Sequence, residues 1–477
     1  MKKLVYKIFS LVFIAGVMTS CESELDQIPF DSLSSDTAFI TAADFENGIR
    51  GVYSGLTAAG YYGSSDAGSL LSFPDVISDN VTRAQRGRGT KRILHEFEYL
   101  PSQTIRGFYA NAYTVIFRAN NILFQIEDFS GESKANITAE ARALRAMAHF
   151  DLVRTFGKIP TQSADALGTL GVAYLTEPDP LIEPSRITVG EVYEKILEDL
   201  TFAAANINAN NPTGRMSRDA VNVLLSRVYL YMGQWQNAIN AANNVTTAIA
   251  PRNSVVDIWE DTSQAGLVFY IPNEATVLNL NIGVTWSQGG LTNLIPEYVV
   301  SFELFNKFSD DDIRKSAYTF PAANNASGMQ FNAIKKLYGR PGQSNGLVDF
   351  KILRAEEALL NKAEAQFELN QPAQALATLD QLRSQRYTAF VGGETGNDLR
   401  DAIRAERRFE FAFEYQRFFD LKRWGASIQR DGSGDLADGS GTPSESQTLP
   451  AGDIRFQLPF STTSLDLNPS LVQNPGY

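Results

Sequence analysis

Between Ala220 and Val245 the apolar residues fall at helical spacing twice, once on each side of a glycine. Leu224, Leu225, Val228 and Tyr229 form one stripe ahead of Gly233, and Trp235, Ala238, Ile239, Ala242 and Val245 form a second behind it. Spacings of three and four put each set on a single helix face. The chain is therefore expected to reverse at Gly233 and lay two short helices side by side.

Small and aromatic residues at this spacing match the tetratricopeptide pattern, in which Ala lets two helices approach closely. The same frame fits Ala363 to Leu382, where Ala363 stands in the place of Ser226, Asn370 in that of Gly233 and Ala375 in that of Ala238. A single pair cannot bury its apolar faces alone, so two matches predict an array. Further amphipathic helices are predicted at Ile105 to Ile126, Thr138 to Phe156 and Val189 to Ile207, the last behind Thr188 as N-cap with Glu191 three residues on.

Long stretches rich in Gly, Ser, Asn and Pro separate the helices at Ala58 to Asp79, Asn273 to Asn293, Thr319 to Gly346 and Arg430 to Asp453. Loops of this length in a domain are functional or disordered as a rule. The fold class read from the chain is mostly α, with tetratricopeptide-like helix pairs forming a scaffold for a long, irregular, loop-rich face. Residues 37–477 are expected to form one domain, with interleaved repeat units at about 105–250 and 350–386.

Lys2, Lys3 and Lys7 precede an apolar run from Ile8 to Met18, the charged and hydrophobic parts of a secretory signal over residues 1–20. The run is shorter than the roughly 20 residues that cross a bilayer as a helix. It ends in Met18-Thr19-Ser20-Cys21, and Cys21 is the one cysteine of the chain. Small residues ahead of such a cysteine resemble a bacterial lipobox, which implies lipidation of Cys21, with residues 21–36 as a lipidated linker. Each buried methylene contributes about 0.8 kcal/mol, so several acyl chains hold firmly where one holds marginally. Glu22, Glu24 and Asp26 follow, resembling an export tag for the outer face of the outer membrane. Without the three lysines of the leader, 39 Lys and Arg face 54 Asp and Glu, a mature charge of about −15. That balance excludes a nucleic-acid partner and electrostatic attachment to anionic lipid.

Residues Ile403 to Trp424 read IRAERRFEFAFEYQRFFDLKRW. With ALRAMAHFDLVRTFGKIP from Ala143, PEYVVSFELFNKFSDDDIR from Pro296 and ILRAEEALLNKAEA from Ile352, in that order along the chain, they resemble the SusD/RagB family of outer-membrane nutrient-binding lipoproteins. The resemblance implies a helical scaffold whose loop-rich face captures an oligosaccharide and delivers it to a SusC-like TonB-dependent transporter. A peptide-binding member of that family, or a lipid-anchored scaffold without nutrient binding, are the alternatives. Within the signature 403–424, Glu406, Glu410 and Glu414 fall at successive i,i+4 positions if the helix is continuous. Arg407, Arg408, Arg417 and Arg423 are expected to pair with them, and Asp420 and Trp424 close the segment. The expected role is a partly buried ion-pair and aromatic core, which specifies geometry more reliably than it adds stability.

Catalytic machinery is not expected. His149 lies inside an apolar helical stretch, and His95 has no nucleophile motif around it. There is no phosphate-cradling Gly loop, HExxH or CxxC. Asp310 and Asp312 read as a turn rather than as a glycosidase pair straddling a sugar. Asp431, Asp435 and Asp438 hint at calcium but lack the EF-hand register, and no metal or cofactor is assigned. Sugar capture calls for aromatic faces and a few polar groups. Trp286, in the loop NIGVTWSQGG, is the tryptophan that neither the repeats nor the signature explains. It is the first candidate ligand residue, followed by Tyr61 and Tyr62 and by the polar run holding Asp79, Asn80 and Arg83.

Replacing Cys21 by Ala is expected to leave the protein unlipidated and soluble in the periplasm, because no other segment offers a membrane anchor. Fractionation with a radiolabelled fatty acid checks this, and membrane retention of the variant would contradict it.

Overall fold

The computed structural model describes residues 38–290, 293–342 and 346–477. The leader, Cys21 and the linker 21–36 lie outside the described residues. Among the described residues, six helices of nine residues or more succeed one another in the first half: α1 (Ala42–Leu56), α2 (Arg106–Gln125), α3 (Lys134–Phe156), α4 (Val189–Asn206), α5 (Arg218–Tyr231) and α6 (Trp235–Asn243). Each packs on the next. Capping boxes start α1, through Thr41 and Asp44, and α4, through Thr188 and Glu191. These satisfy amides that the first helical turn leaves without partners.

Helix α3 is the axle of this array. From Ala143 to Phe156 every side chain is buried, so α3 shows no amphipathic stripe and must satisfy its polar groups internally. Glu140 meets Arg215, Arg145 meets Asp199, and Asp151 meets Arg154. The helix begins four residues ahead of the expected Thr138, at Lys134.

The second half holds α7 (Ala355–Glu368), α8 (Pro372–Arg383), α9 (Gly396–Glu410) and α10 (Arg417–Arg423). Both repeat turns reverse through a left-handed residue, Gly233 at φ 70° and Asn370 at φ 56°, a conformation open to Gly and tolerated by Asn. Ala238 and Ala375 are fully buried behind those turns. Helix α6 packs directly on α7 although more than a hundred residues separate them. The intervening excursion leaves through β2 (Leu267–Ile271) and returns antiparallel to it through β6 (Phe350–Arg354). Its exit and entry therefore sit side by side, and the array continues as if uninterrupted.

Within the excursion, β3 (Tyr298–Val300) pairs with β1 (Val81–Arg83), and β4 (Thr319–Asn324) forms a hairpin with β5 (Met329–Ile334). That hairpin corrects the expectation of an irregular Thr319 to Gly346 loop. The turn formers Asn325, Ser327 and Gly328 mark only its tip.

The excursion also corrects the expectation for Trp286, which is 1 % exposed rather than displayed on a loop. Its ring meets Tyr298 and Phe413 edge-on, at centroid distances of 6.5 and 6.2 Å. A Cβ on Gly283 would stand 1.6 Å from the carbonyl oxygen of Leu337. At that position the glycine of NIGVTW serves backbone-on-backbone packing, and the tryptophan is carried inward with it.

The signature is not one helix. α9 ends at Glu410, and Phe413 and Tyr415 adopt left-handed φ of 65° and 54° before α10 begins. The Asp75 carboxylate holds this strained turn by accepting the Phe413 and Tyr415 amides at 3.0 and 2.9 Å. The expected carboxylate ladder and its arginine partners are accordingly re-sorted. Glu410 receives Arg354 at 2.9 Å and Arg386 at 2.8 Å, Glu414 receives Arg354 and Lys336, and Glu406 receives Arg314 at 2.7 Å. Of the signature's own arginines, Arg407 stays within it on Asp420, while the others reach other segments: Arg417 to Asp79, Arg408 to Glu303 and Asn80, and Arg423, besides Asp420, to Glu364, which also accepts the Trp424 indole N–H.

Burial alone would raise the Glu410 carboxyl, but Arg386 and Arg354 outweigh it and hold it well below the usual carboxylate range. Arg423 likewise overcomes burial and pushes Glu364 down to about 2. A depressed carboxylate contributes stability above its unfolded value, near 4.5 for Glu, and that contribution is lost as pH falls through the folded value. Melting temperature is thus expected to fall progressively below pH 4.5. Glu410→Ala should remove about 3–5 kcal/mol at neutral pH by stranding buried arginines, and Trp286→Ala about 3–5 kcal/mol by opening the core. Circular-dichroism melts check all three, and an unchanged melt for either variant would contradict the assignment of its side chain to the core.

Candidate ligand site

The residues expected to line a ligand surface are buried in packing and pairing. Tyr61 and Tyr62 donate their hydroxyls to Asp151 at 2.9 and 3.0 Å. Asp79 is held by a two-point contact from Arg417, at 2.7 and 2.8 Å. Asn80 donates to Asp75 and accepts from Arg408. Arg83 is 9 % exposed, 3.8 Å from Glu96 and 3.5 Å from Glu445. With Trp286 in the core, the set presents no open aromatic face for a sugar. Aromatic and charged residues in turn-rich sequence read as ligand contacts, and the fold uses them to seal the excursion onto the scaffold.

The other chemical candidates are also committed. His95 donates Nδ1–H to the Val76 carbonyl and accepts from the Ser444 hydroxyl at 2.6 Å. Burial and the neighbouring Arg430 hold it neutral, well below its ordinary range. Asp312 pairs with Arg314 and Asp310 with Lys315. Asp435 accepts the Gln85 and Thr442 amides, while Asp431 and Asp438 bind the serines two residues on. Among the described residues no group of three or more His, Cys, Asp and Glu is placed to hold a metal ion.

An open groove of about 640 Å³ lies elsewhere, between the last turn of α2, the outer face of α3, the middle of α4 and the segment Tyr174 to Pro178. Its floor is a preorganised polar network. Arg145 meets Asp199 through two 2.7 Å bonds and reaches Asn120 at 2.9 Å. The Tyr174 hydroxyl donates to the same Asp199 at 2.5 Å. Burial and Asp199 raise the Tyr174 phenol well above its usual range, so it remains a donor. Behind it His149 stacks on the Tyr174 ring at 3.8 Å, bonded to the Arg145 carbonyl and the Leu175 amide. Burial lowers the imidazole well below its ordinary range and keeps it neutral.

The groove walls carry both charge signs and aromatic surface. Lys134, Arg142 and Lys195 face it together with Glu127, Glu177 and Glu198. Phe124 stands on its lip, 64 % exposed. Polar groups fixed on rigid helices beside an aromatic face are suited to orienting a hydroxyl-rich ligand. Apart from His149, read as a scaffold residue, none of these residues was singled out from the sequence. A usable signal existed in α2, where Ile122 and Ile126 are buried and Phe124 falls out of their phase.

Comparison with known proteins agrees with this architecture. A family model described as the SusD family matches residues 313–477, and one described as starch-binding associating with outer membrane matches residues 29–230. SusD-like protein P2 of Formosa agariphila is 25% identical over an alignment covering 100% of both chains. A SusD superfamily crystal structure from Bacteroides thetaiotaomicron superposes with a TM-score of 0.80 at 26% identity, covering 91% of this chain and 100% of that one. Surface glycan-binding protein A from Bacteroides fluxus shares the fold, with a TM-score of 0.72 at 19% identity over 92% of this chain and 100% of its own. The strand β2 lies between the two model matches and its partner β6 inside the match over 313–477. The two family models, the SusD-like relatives and the SusD superfamily fold together support the SusD/RagB family for this mostly helical chain.

Proposed function

We propose that this protein is a surface lipoprotein that captures oligosaccharide and hands it to a SusC-like TonB-dependent transporter, with the groove between α2, α3 and α4 as its binding site. The carrying observation is the groove itself: a concavity of about 640 Å³ with a fixed polar floor and an exposed Phe124 on its lip. The shared fold with a surface glycan-binding protein supports the ligand class. The lipid on Cys21 holds the protein at the outer face of the outer membrane, and no helix among the described residues is long and apolar enough to cross a membrane.

The groove is broad and open, so capture is reversible. Dissociation constants in the micromolar to millimolar range correspond to about 4–8 kcal/mol of binding free energy. A stacked ring shielded from water supplies roughly 1.5–3 kcal/mol of that, so Phe124→Ala should weaken glycan binding about ten- to a hundredfold with little change in melting temperature. Titration calorimetry against a glycan panel reads the first quantity. Pull-down from mild detergent through a carboxy-terminal tag should also recover a large outer-membrane barrel. Absence of glycan binding across the panel, with no barrel recovered with or without glycan, would contradict the reading.

A further inference from the structure

Helices α3, α5 and α9 each bury an arginine that its carboxylate satisfies only in part. Arg154 gives one bond to Asp151, Arg227 grips Glu357 through Nε and Nη2, and Arg407 binds Asp420 and the Asn361 side-chain oxygen. All three are fully buried. Four of their nitrogens are left over: Nε and Nη1 of Arg154, Nη1 of Arg227 and Nη2 of Arg407 have no acceptor among the described residues. The hydroxyls of Tyr193 in α4 and Tyr231 in α5, equally buried, are also without a partner there. A buried donor left unpaired is costly.

These groups share one neighbourhood. The Arg154 guanidinium lies over Phe150 and Phe419, 5.1 and 4.1 Å from the ring centroids, and Phe150 meets Tyr193 and Tyr231 edge-on at 6.0 and 5.1 Å. Burial raises the Tyr231 phenol, and Arg154, Arg423 and Arg407 all oppose that rise. Burial would also raise the Glu357 carboxyl, but Arg227, Arg407 and Arg154 together hold it below its ordinary range. The charge is uneven as well. Asp151, Glu357, Asp420 and Glu364 match Arg154, Arg227, Arg407 and Arg423. Lys422, 1% exposed, adds a fifth cation, and its amine donates to the Arg154 and Gly157 carbonyls in place of a carboxylate.

We infer that Arg154, Arg227 and Arg407, with the Tyr193 and Tyr231 hydroxyls, hold a small inorganic anion of about the size of chloride between α3, α4, α5 and α9. Every group left over can donate. A water molecule could accept two of these bonds, but it would bring two protons of its own. Each oxygen of Asp151, Glu357 and Asp420 already accepts a bond from an arginine or a tyrosine. A spherical anion accepts from several directions and supplies the negative charge that Lys422 lacks. Closure of the set to solvent favours a single ion over a polyatomic ligand. The ion is thus a structural part of the scaffold, distinct from any cargo.

The test is diffraction from crystals of the full chain soaked in sodium bromide, with data collected at the bromine absorption edge. A buried anomalous peak is expected at hydrogen-bonding distance from Arg154, Arg407 and the Tyr231 oxygen. In solution at fixed ionic strength, the melting temperature should be about 2–3 °C higher in chloride at roughly a hundredfold excess over its dissociation constant than in gluconate, which is too large to enter. Tyr193→Phe combined with Tyr231→Phe should remove most of that difference while leaving the melt in gluconate unchanged. Bromide peaks confined to the surface, an adventitious ion only, overturn the inference. So does water at the buried position with equal melts in both salts, or a chloride effect that survives undiminished in the double variant without a buried peak.

Discussion

Arg354 is the joint on which the rest of the structure depends. It is the last residue of β6 and stands at the N-cap of α7, so it sits where the excursion rejoins the helical array. Its guanidinium reaches Glu410 at the end of α9 and Glu414 in the strained turn beyond, and lies 3.1 Å from Glu356 in the first turn of α7. Arg386 and Arg314 close on Glu410 from other segments. Removing several charges from water is expensive, and such a cluster is tolerable only when the members satisfy one another. The consequence is geometric: the excursion, the second repeat and the signature must come together in one arrangement or leave buried charge without partners.

The same logic explains why the irregular face is closed. Asp79, Asn80 and the Phe411 to Tyr415 turn are joined through Arg408, Arg417 and Asp75, and Trp286 packs on Phe413. Residues drawn from turn-rich sequence therefore act as fastenings between loop and scaffold. The helical side has different constraints. There Glu140, Arg145 and Asp151 of α3 are paired with Arg215, Asp199 and Arg154, and Phe124 of α2 stays exposed.

The repeat pairs were legible because helical spacing and a left-handed turn residue leave a local trace, and Gly233 and Asn370 both took that conformation. The signature was legible as an ion-pair core, yet its partners were not. Pairing of Glu410 with Arg354 and Arg386 joins residues 56 and 24 positions apart, and no local spacing encodes that. Trp286 was misread because turn formers look alike whether they display a loop or let two backbones touch, as Gly283 does at Leu337. The groove was invisible for a related reason: Arg142, Tyr174 and Lys195 come from three separate segments, and only the packing of α3 on α4 brings them around one space.

The proposed reading puts ligand on the helical side of a scaffold locked by buried charge. Amide hydrogen exchange with and without a saturating bound glycan tests it most directly. The account predicts slower exchange confined to residues 123–127, 138–145, 174–178 and 195–199, with residues 83–90 and 286–298 unchanged. Protection confined to 83–90 and 286–298, with the groove segments unaffected, would contradict it.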